Sequence, residues 1–192
     1  MPTCATREQS LTNLCIALNE ESNTAARYAA FAQRADEEGY RKVANLFRAV
    51  ARSEQIHAAN HAAAMQTMGS THPPTIEPVE LKSTVENLRT AIAGEQYEID
   101  QQYPGFLREA AAEALVQARR SFHYALASER GHLRLFAAAL QHIQECEGTY
   151  CERLAHTAAY YVCPECGFTA TRSELDQCPV CRRARDEFEL IS

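Results

Sequence analysis

The stretch AVARSEQIHAANHAAAM, residues 49–65, carries a Glu-x-x-His step in alanine-rich sequence that contains neither glycine nor proline. This composition predicts a helix, because alanine has the highest helix propensity of all residues. Residues three apart on a helix lie side by side, so Glu54 and His57 would present a carboxylate and an imidazole together. A further glutamate, Glu21, precedes Glu54 by 33 residues in sequence that also reads as helix.

The same arrangement recurs in the second half of the chain. Glu95 is followed 34 residues later by Glu129, and His132 completes the second Glu-x-x-His step. One such step alone is weak evidence, since most helical glutamates are only solvated. Here the steps come in pairs, and neighbouring apolar residues such as Tyr28 and Ile92 indicate that the acids point inward. Buried unpaired carboxylates are strongly disfavoured and bound cations neutralise them, so we interpret the repeat as a metal site.

Apolar periodicity and stop signals predict four long helices, over about 11–38, 40–68, 83–103 and 108–143. Ser10 is the expected cap of the first helix, and Gly39 the expected stop. Ser83-Thr-Val-Glu86 has the form of a capping box. Tyr103-Pro-Gly105 is predicted to interrupt the third helix, with a kink or a short preceding segment before the fourth. A weaker helix is predicted over 145–159.

Composition sets the broad class of the protein. With 192 residues, 46% of them hydrophobic, the chain is long enough for one globular domain and a small appendage. A net charge of −6 argues against a nucleic-acid partner, and no apolar run is long enough for a membrane span or a signal peptide. Four of the eight cysteines form Cys-x-x-Cys pairs, which favours a reducing compartment, and we predict a cytoplasmic protein.

A long connection between the second and third helices, which includes the Gly-, Ser- and Pro-rich loop 69–78, favours a ferritin-like bundle. The predicted metal ligands in this bundle are five carboxylates and two imidazoles, without a thiolate. Such a set suits iron or manganese better than zinc or copper(I). Two divalent ions would bring four positive charges against five negative ones. Glu98 is the additional carboxylate, since its counterpart in the first half is Thr24. We expect Glu98 to be the ligand whose importance changes when the metals are oxidised.

The C-terminal segment holds two cysteine knuckles, with Cys163 and Cys166 in the first and Cys178 and Cys181 in the second. Four thiolates in this spacing bind one tetrahedral ion, either iron or zinc. A zinc ribbon that only folds the tail is the alternative, because so short a segment cannot build its own core. The predicted division is therefore a diiron four-helix bundle over 1–158 and a Cys4 metal domain over 159–192. The other thiols, which are expected to be ordinary cysteines, are Cys4, Cys15, Cys146 and Cys151.

Taken together, these motifs resemble the rubrerythrin family over almost the whole chain. The matching segments are Glu21-Ser with Arg27-Tyr28, Glu54-x-x-His57, Ala91-Ile-Ala-Gly-Glu95-x-x-Glu98, Tyr103-Pro-Gly-Phe106, Glu129-x-x-His132 and the two cysteine knuckles. The resemblance implies a mainly α fold, a ferritin-like bundle followed by a rubredoxin-like domain. It also implies a non-haem diiron peroxidase that reduces hydrogen peroxide to water and protects against oxidative stress.

Roles for individual residues follow from the same resemblance. Glu54 and Glu129 would bridge the irons, while Glu21 would hold one iron. Glu95 and His132 would hold the other iron. The ligands expected to exchange at the first iron between redox states are His57 and Glu98. The tyrosines expected beside the cluster, within hydrogen-bonding reach of carboxylates or bound oxygen species, are Tyr28 and Tyr103.

The resemblance also implies cofactors and partners. The cofactors are two iron ions in the bundle and one iron, with zinc as the alternative, in the Cys4 site. The partners are hydrogen peroxide and an electron-donor protein or NADH-dependent reductase. In the family the tail of one subunit lies near the diiron site of its partner, so a homodimer or higher homo-oligomer is expected. Two other functions stay open from the residues alone. One is a ferroxidase or iron store with a structural zinc-ribbon tail, and the other is a metal-stabilised interaction module without turnover.

Overall fold

A computed structural model of the chain describes residues 8–145, 159–171 and 176–192. Five α-helices account for most of these residues: α1 (Glu8–Glu37), α2 (Arg41–Thr67), α3 (Thr84–Tyr97), α4 (Tyr103–Ala112) and α5 (Val116–Glu145). A π-helical turn, Glu98–Gln102, joins α3 to α4 without a break. The predicted four long helices are therefore α1, α2, the α3–α4 unit and α5. The predicted helix over 145–159 lies almost entirely outside the described residues, as do Cys4, Cys146 and Cys151.

The α1–α2 pair forms an antiparallel hairpin that closes at Gly39, as predicted. Gly39 has a φ of 86°, a left-handed conformation that glycine adopts without steric cost. The N–H of Tyr40 donates to the carbonyl of Ala35 at 2.7 Å, and so satisfies one of the last orphan carbonyls of α1. The proposed cap at Ser10 is wrong, because Ser10 lies inside α1 with a fully buried side chain, and its N–H donates to the Glu113 carboxylate at 3.2 Å. A contact from another helix thus replaces the local cap.

The connection from α2 to α3 runs across one side of the bundle. Asn19 and Asn23 of α1 hold it through side-chain hydrogen bonds of 2.8 Å to the backbone of Thr75 and Glu77. At its end the predicted capping box is present, since the Ser83 side chain accepts from the N–H at position 86 and the carboxylate there accepts from the Ser83 N–H. The long connection predicted between the second and third helices is therefore bound to α1 by hydrogen bonds along one side of the bundle.

The prediction that Tyr103-Pro-Gly105 interrupts the third helix is wrong, because the helical backbone continues through these residues. Pro104 lies in the first turn of α4, directly after the π turn. The departure from a regular α-helix comes one step earlier, in the π turn, a feature that is frequent at functional sites. The helical backbone breaks at Ala114, which lies between α4 and α5 and has a φ of 55°. The last helix consequently begins at Val116 rather than near residue 108, with α4 as its short preceding segment.

Two apolar clusters fill the bundle, one on each side of a buried layer of charged residues. One cluster contains the packed rings of Tyr28, Phe31, Phe47 and Phe136, with ring centroids 5.1–6.1 Å apart. The other contains Phe122 together with residues from α1, α2 and α4. On α1, α2 and α5 the inward-facing glutamates separate the two clusters along the helix. The acids are therefore held in the middle of the core by apolar packing on either side.

The tail folds as a three-stranded antiparallel sheet with strand order β2-β1-β3. Its strands are β1 (Tyr160–Val162), β2 (Thr169–Ala170) and β3 (Glu189–Ile191). Tyr161 pairs with Ala170 on one side and with Leu190 on the other. Among the described residues, no helix combines the length and apolarity that a membrane crossing requires.

Candidate metal centre

Two groups of potential metal ligands meet in the buried layer of the bundle. The first group is Glu21, Glu54, His57 and Glu129, and the second is Glu54, Glu95, Glu129 and His132. Within each group one ligand atom from every residue lies within 4.8 Å of the others. Glu54 and Glu129 belong to both groups, so they lie between two adjacent positions for an ion. The structure thus brings together six of the seven bundle residues singled out in the sequence.

Unsatisfied buried atoms at this point fit bound cations. Oxygens of Glu21, Glu54, Glu95 and Glu129, and Nδ1 of His57, are buried without a hydrogen-bond partner. His57 Nδ1 lies only 2.8 Å from Glu54 Oε2, yet the two make no hydrogen bond. Uncompensated carboxylate oxygens in a core are costly, and several of them converging on one space are readily explained by coordination. The donor set, oxygen-rich with two imidazoles, matches iron or manganese.

The ring orientation of His57 also suits metal binding. Its Nε2 donates to the carbonyl of Cys166 at 3.1 Å, which leaves Nδ1 facing Glu54 and Glu129 at 2.8 and 3.1 Å. A metal-ligating histidine commonly donates its other N–H to a carbonyl in this way, which fixes the tautomer. Burial opposes a charge on the ring, but the carboxylate of Glu129 and those beside it outweigh this and raise the pKa of His57.

The carboxylates of the layer perturb one another strongly without metal. Burial and the charge of Glu54 raise the pKa of Glu129 to about 8. Burial, and to a smaller extent the charge of Glu21, raises the pKa of Glu98 well above its ordinary value. Glu21 behaves in the opposite way, because contacts with His57 and His61 outweigh burial and lower its pKa. Such displaced values in one buried site are typical of functional groups.

Two tyrosines donate hydrogen bonds to opposite ends of the layer. The Tyr28 hydroxyl donates to Glu95 Oε1 at 2.7 Å, and the Tyr103 hydroxyl donates to Glu21 Oε1. Both side chains are buried, and burial together with the nearby carboxylates raises both pKa values well above the ordinary value. The phenols therefore keep their hydrogens and act as donors to the outer carboxylates.

Glu98 lies apart from both ligand groups. It is 9% exposed and lines a cavity of about 350 Å³ with Gly94, Tyr97 and Gln102 on the α3 side and Glu20 on the α1 side. His57, rather than Glu98, occupies the position nearest Glu21 and Glu54. Glu98 begins the π turn, which places it at the border between the buried layer and this cavity.

One buried polar residue beside the cluster was missed in the sequence. His61 is completely buried one helical turn after His57, and it contacts both Ser121 and Tyr103. The only signal was its spacing, since an i, i+4 relation to His57 puts both rings on one face of α2. No pattern in the sequence marks Ser121 as its partner, because that contact joins two helices.

The four cysteines of the tail form a second site. Their sulfur atoms lie within 4.8 Å of one another, all four are free thiols, and three of them are fully buried. Hydrogen bonds from Cys163 and Cys166 lower the pKa of Cys178 to about 2, with further help from the backbone N–H groups of Cys181 and Val180. The arrangement is the closed S4 geometry of a rubredoxin-like iron or a structural zinc site.

The tail is seated directly on the bundle, beside the carboxylate cluster. The carbonyl of Cys166 accepts from His57 Nε2 and from Ser128 Oγ at 3.0 Å, and the carbonyl of Gly167 accepts from Ser53 Oγ at 2.6 Å. At the periphery, Arg52 forms two hydrogen bonds of 2.6 and 2.7 Å to the carboxylate of Glu189 in β3. The resemblance predicted the tail of a partner subunit in this place. The structure describes one chain, whose own tail makes these contacts, and the expected approach of a partner subunit's tail stays a prediction.

Gly167 allows this close approach. A β-carbon at this position would overlap His57 Nε2 and would lie 2.5 Å from Ser53 Oγ. Its φ of 79° also lies in the region that other residues rarely adopt. The first cysteine knuckle thus contacts α2 through the backbone carbonyls of Cys166 and Gly167.

Comparison with known proteins agrees with this geometry. The rubrerythrin family profile matches residues 12–140. Rubrerythrin-2 of Clostridium acetobutylicum is 34% identical over 88% of this chain and 89% of its own length. Nigerythrin of Nitratidesulfovibrio vulgaris is 32% identical over 93% of this chain and 85% of its own length.

Solved structures lead to the same family. A mixed-valent nigerythrin structure superposes with a TM-score of 0.84 at 31% identity and covers 94% of this chain and 86% of the other. A bacterioferritin from Desulfovibrio desulfuricans, at 20% identity and a TM-score of 0.73, shares the ferritin-like fold. These findings confirm the predicted bundle with its rubredoxin-like Cys4 tail. They also confirm the predicted cofactor sites, a diiron carboxylate centre and a Cys4 cluster for a rubredoxin-like iron. The chain therefore belongs to the rubrerythrin family, diiron proteins of oxidative-stress defence.

Proposed function

We propose that this chain is a non-haem diiron peroxidase that reduces hydrogen peroxide to water, with electrons delivered through the Fe(Cys)4 site of its tail. One observation carries the proposal. The buried cluster contains two overlapping ligand groups, and one of its histidines is hydrogen-bonded to the backbone of a tail cysteine. A store or a purely structural metal site has no need of that second contact.

The ligand roles belong to the same proposal. Glu54 and Glu129 are assigned as bridges, which is supported by their membership of both ligand groups. Glu21 is assigned as a ligand of the first iron, at one end of the cluster. Glu95 and His132 are assigned as ligands of the second iron, at the other end. His57 and Glu98 are assigned as exchanging ligands of the first iron. This is supported by the position of Glu98 at the rim of the layer, where Glu21 is the charged neighbour that raises the pKa of Glu98 most.

Two ferrous ions held by Glu21, Glu54, Glu95, Glu129 and the two histidines would supply one electron each to the peroxide O–O bond, and as Lewis acids they would stabilise the negative charge that develops on oxygen. With two protons, one peroxide gives two waters. The protein contributes a buried apolar surrounding and two fixed donors, the hydroxyls of Tyr28 and Tyr103. These donors hold the outer carboxylates in place while charge in the layer changes.

We assign the cavity beside Glu98 as the side from which a small oxidant approaches the cluster. It is lined mainly by polar side chains from α1 and the α3–α4 unit, including Asn23, Arg27 and Gln102. Hydrogen peroxide is small, neutral and hydrogen-bonding, so such a polar cavity admits it without a charge barrier. Electrons would enter from the opposite direction, through Cys166 and His57, so that oxidant and reductant approach the cluster from different sides.

The test is a stopped-flow comparison of the ferrous protein mixed with peroxide or with dioxygen. Oxidation by peroxide should be far faster, and the reverse order would exclude the proposal. Glu98→Ala should impair turnover while leaving the absorption of the ferric tail intact. Asp100→Ala is the matched control, since Asp100 is an exposed carboxylic acid in the same π turn.

Metal content separates this proposal from iron storage. A peroxidase of this kind should bind about three irons per chain, two in the bundle and one in the tail, whereas a store accumulates many more. An NADH-dependent reductase as the electron source, a homodimer or higher homo-oligomer, and a cytoplasmic location are further parts of the proposal. Sedimentation velocity and reconstitution with a reductase would check the first two.

A further inference from the structure

His61 is a buried histidine that the proposed ligand set does not use. Its side chain is fully enclosed by α2, α4 and α5, with the rings of Tyr103 and Phe122 at centroid distances of 6.1 and 5.5 Å. Its Nε2 lies 3.9 Å from Glu21 Oε1, beyond hydrogen-bonding distance. Any hydrogen-bonded link between His61 and Glu21 must therefore pass through a third group.

The directions of the hydrogen bonds around His61 follow from counting hydrogens. The hydroxyl of Tyr103 has one hydrogen, and Glu21 Oε1 accepts it. The Tyr103 oxygen, 3.3 Å from His61 Nε2, can then only accept, so Nε2 carries a hydrogen. Nδ1 is left as an acceptor, and Ser121 Oγ donates to it at 2.7 Å. Burial lowers the pKa of His61, which agrees with a neutral ring.

This series of hydrogen bonds runs from Ser121 through His61 and Tyr103 to Glu21. It determines which oxygen of the Glu21 carboxylate is left without a hydrogen bond. Glu21 Oε1 receives the phenolic hydrogen, while Oε2 is buried without any hydrogen-bond partner. The other outer carboxylate has a simpler environment. Tyr28 donates to Glu95, but phenylalanine rings rather than a histidine pack around Tyr28. The two ends of the cluster therefore differ in how firmly their tyrosine is oriented.

We propose that His61 is a positioning residue, which together with Ser121 keeps the Tyr103 hydrogen on Glu21 Oε1 and leaves Oε2 as the oxygen offered to the metal. The part that concerns metal rests on the proposed function, since it takes Glu21 as a ligand. The part that concerns the hydrogen-bond chain does not. Outer partners of metal ligands contribute about 10- to 100-fold to metal affinity in other proteins.

The first test uses the metal-free wild-type protein. Nitrogen-15 NMR of the histidine rings, with His61 assigned by its disappearance in His61→Leu, distinguishes the two tautomers. We expect a neutral ring with hydrogen on Nε2 at pH 7. A ring protonated on Nδ1, singly or together with Nε2, would overturn the inference whatever the enzyme does.

The second test is a cobalt(II) titration followed by visible absorption, in which carboxylate and thiolate sites are resolved by wavelength. His61→Leu should weaken binding in the bundle about tenfold, while His61→Gln, which keeps a donor amide, should restore most of it. Tail binding should not change. Phe122→Leu is the control for lost packing beside His61 and should leave cobalt affinity near that of the wild type.

A double-mutant cycle excludes a general structural effect. Because His61 acts through Tyr103, the combination of His61→Leu with Tyr103→Phe should weaken cobalt binding no more than the stronger single change does. Additive losses would contradict the inference. If the tautomer and the cycle come out as expected but peroxide is not reduced, the proposed function fails and the positioning role stands. If peroxide is reduced but the tautomer or the cycle differs from the expected result, only the positioning role of His61 is excluded.

Discussion

The bundle and the tail both gather metal ligands, but they do so in opposite ways. In the bundle the donors come from four different helices, from Glu21 to His132, and apolar clusters on both sides hold them in place. In the tail the four donors lie between Cys163 and Cys181, in a segment with little core besides the cysteines themselves. The bundle therefore provides a folded site for its metals, whereas the tail depends on its metal for its fold.

This difference predicts the largest effect for removal of one tail ligand. Cys178→Ser should abolish the Cys4 site and unfold the tail, because a structural metal contributes on the order of 10 kcal/mol to so small a fold. The bundle should keep its helices. Circular dichroism would measure helicity, and limited proteolysis would report on the tail. Cys15→Ser, at a free cysteine of α1 outside both metal-ligand groups, is the control and should change neither readout.

The buried charges of the bundle predict a pH dependence that the tail does not share. The pKa of Glu129 is about 8 in the folded metal-free chain, against an ordinary value of 4.5. Between these values the folded chain holds a proton that the unfolded chain has lost, so the free energy of unfolding falls as pH rises. The raised pKa values of His57 and His132 act in the same direction above 6.5. Glu21, whose pKa is lowered, acts oppositely but only below 4.5.

Urea unfolding of the metal-free protein from pH 5.5 to 8.5 would measure this effect. Each unit of pKa displacement corresponds to about 1.4 kcal/mol, so the loss should amount to several kcal/mol. Glu129→Gln should flatten the profile, because the amide does not titrate. A stability that rises with pH over this range would show that the carboxylates are not buried together as described.

A smaller effect is expected where the two regions meet. Gly167→Ala places a methyl group against His57 Nε2 and Ser53 Oγ and strains a positive φ, so the knuckle should move away from α2 at a cost of about 1–3 kcal/mol. Metal should still bind to both sites. Hydrogen exchange of the backbone around Cys166 would report the lost contact. Gly94→Ala is the matched control, since nothing lies within 4 Å of a β-carbon there. Equal protection in both variants would contradict the described seating of the tail.

Local signals in the sequence were enough to predict much of this structure. The helices, the capping box at Ser83 and the cysteine knuckles follow from spacing along the chain. The Glu-x-x-His steps also reveal the cluster, because helix geometry makes residues three apart neighbours. The tail's place on its own bundle, the contact of Ser10 with Glu113 and the π turn ahead of Pro104 were not predicted. Each depends on contacts between distant segments, which periodicity and propensity do not encode.

The most direct test of the central claim, that two irons share Glu54 and Glu129 inside the bundle, is anomalous diffraction at the iron edge from crystals of the iron-loaded protein. We expect three peaks per chain, two of them adjacent in the buried layer and one among the four cysteine sulfurs. The bundle pair should be absent in Glu54→Ala crystals that keep the tail peak. A wild-type map with iron only among the cysteines, and none between Glu21 and His132, would contradict the account.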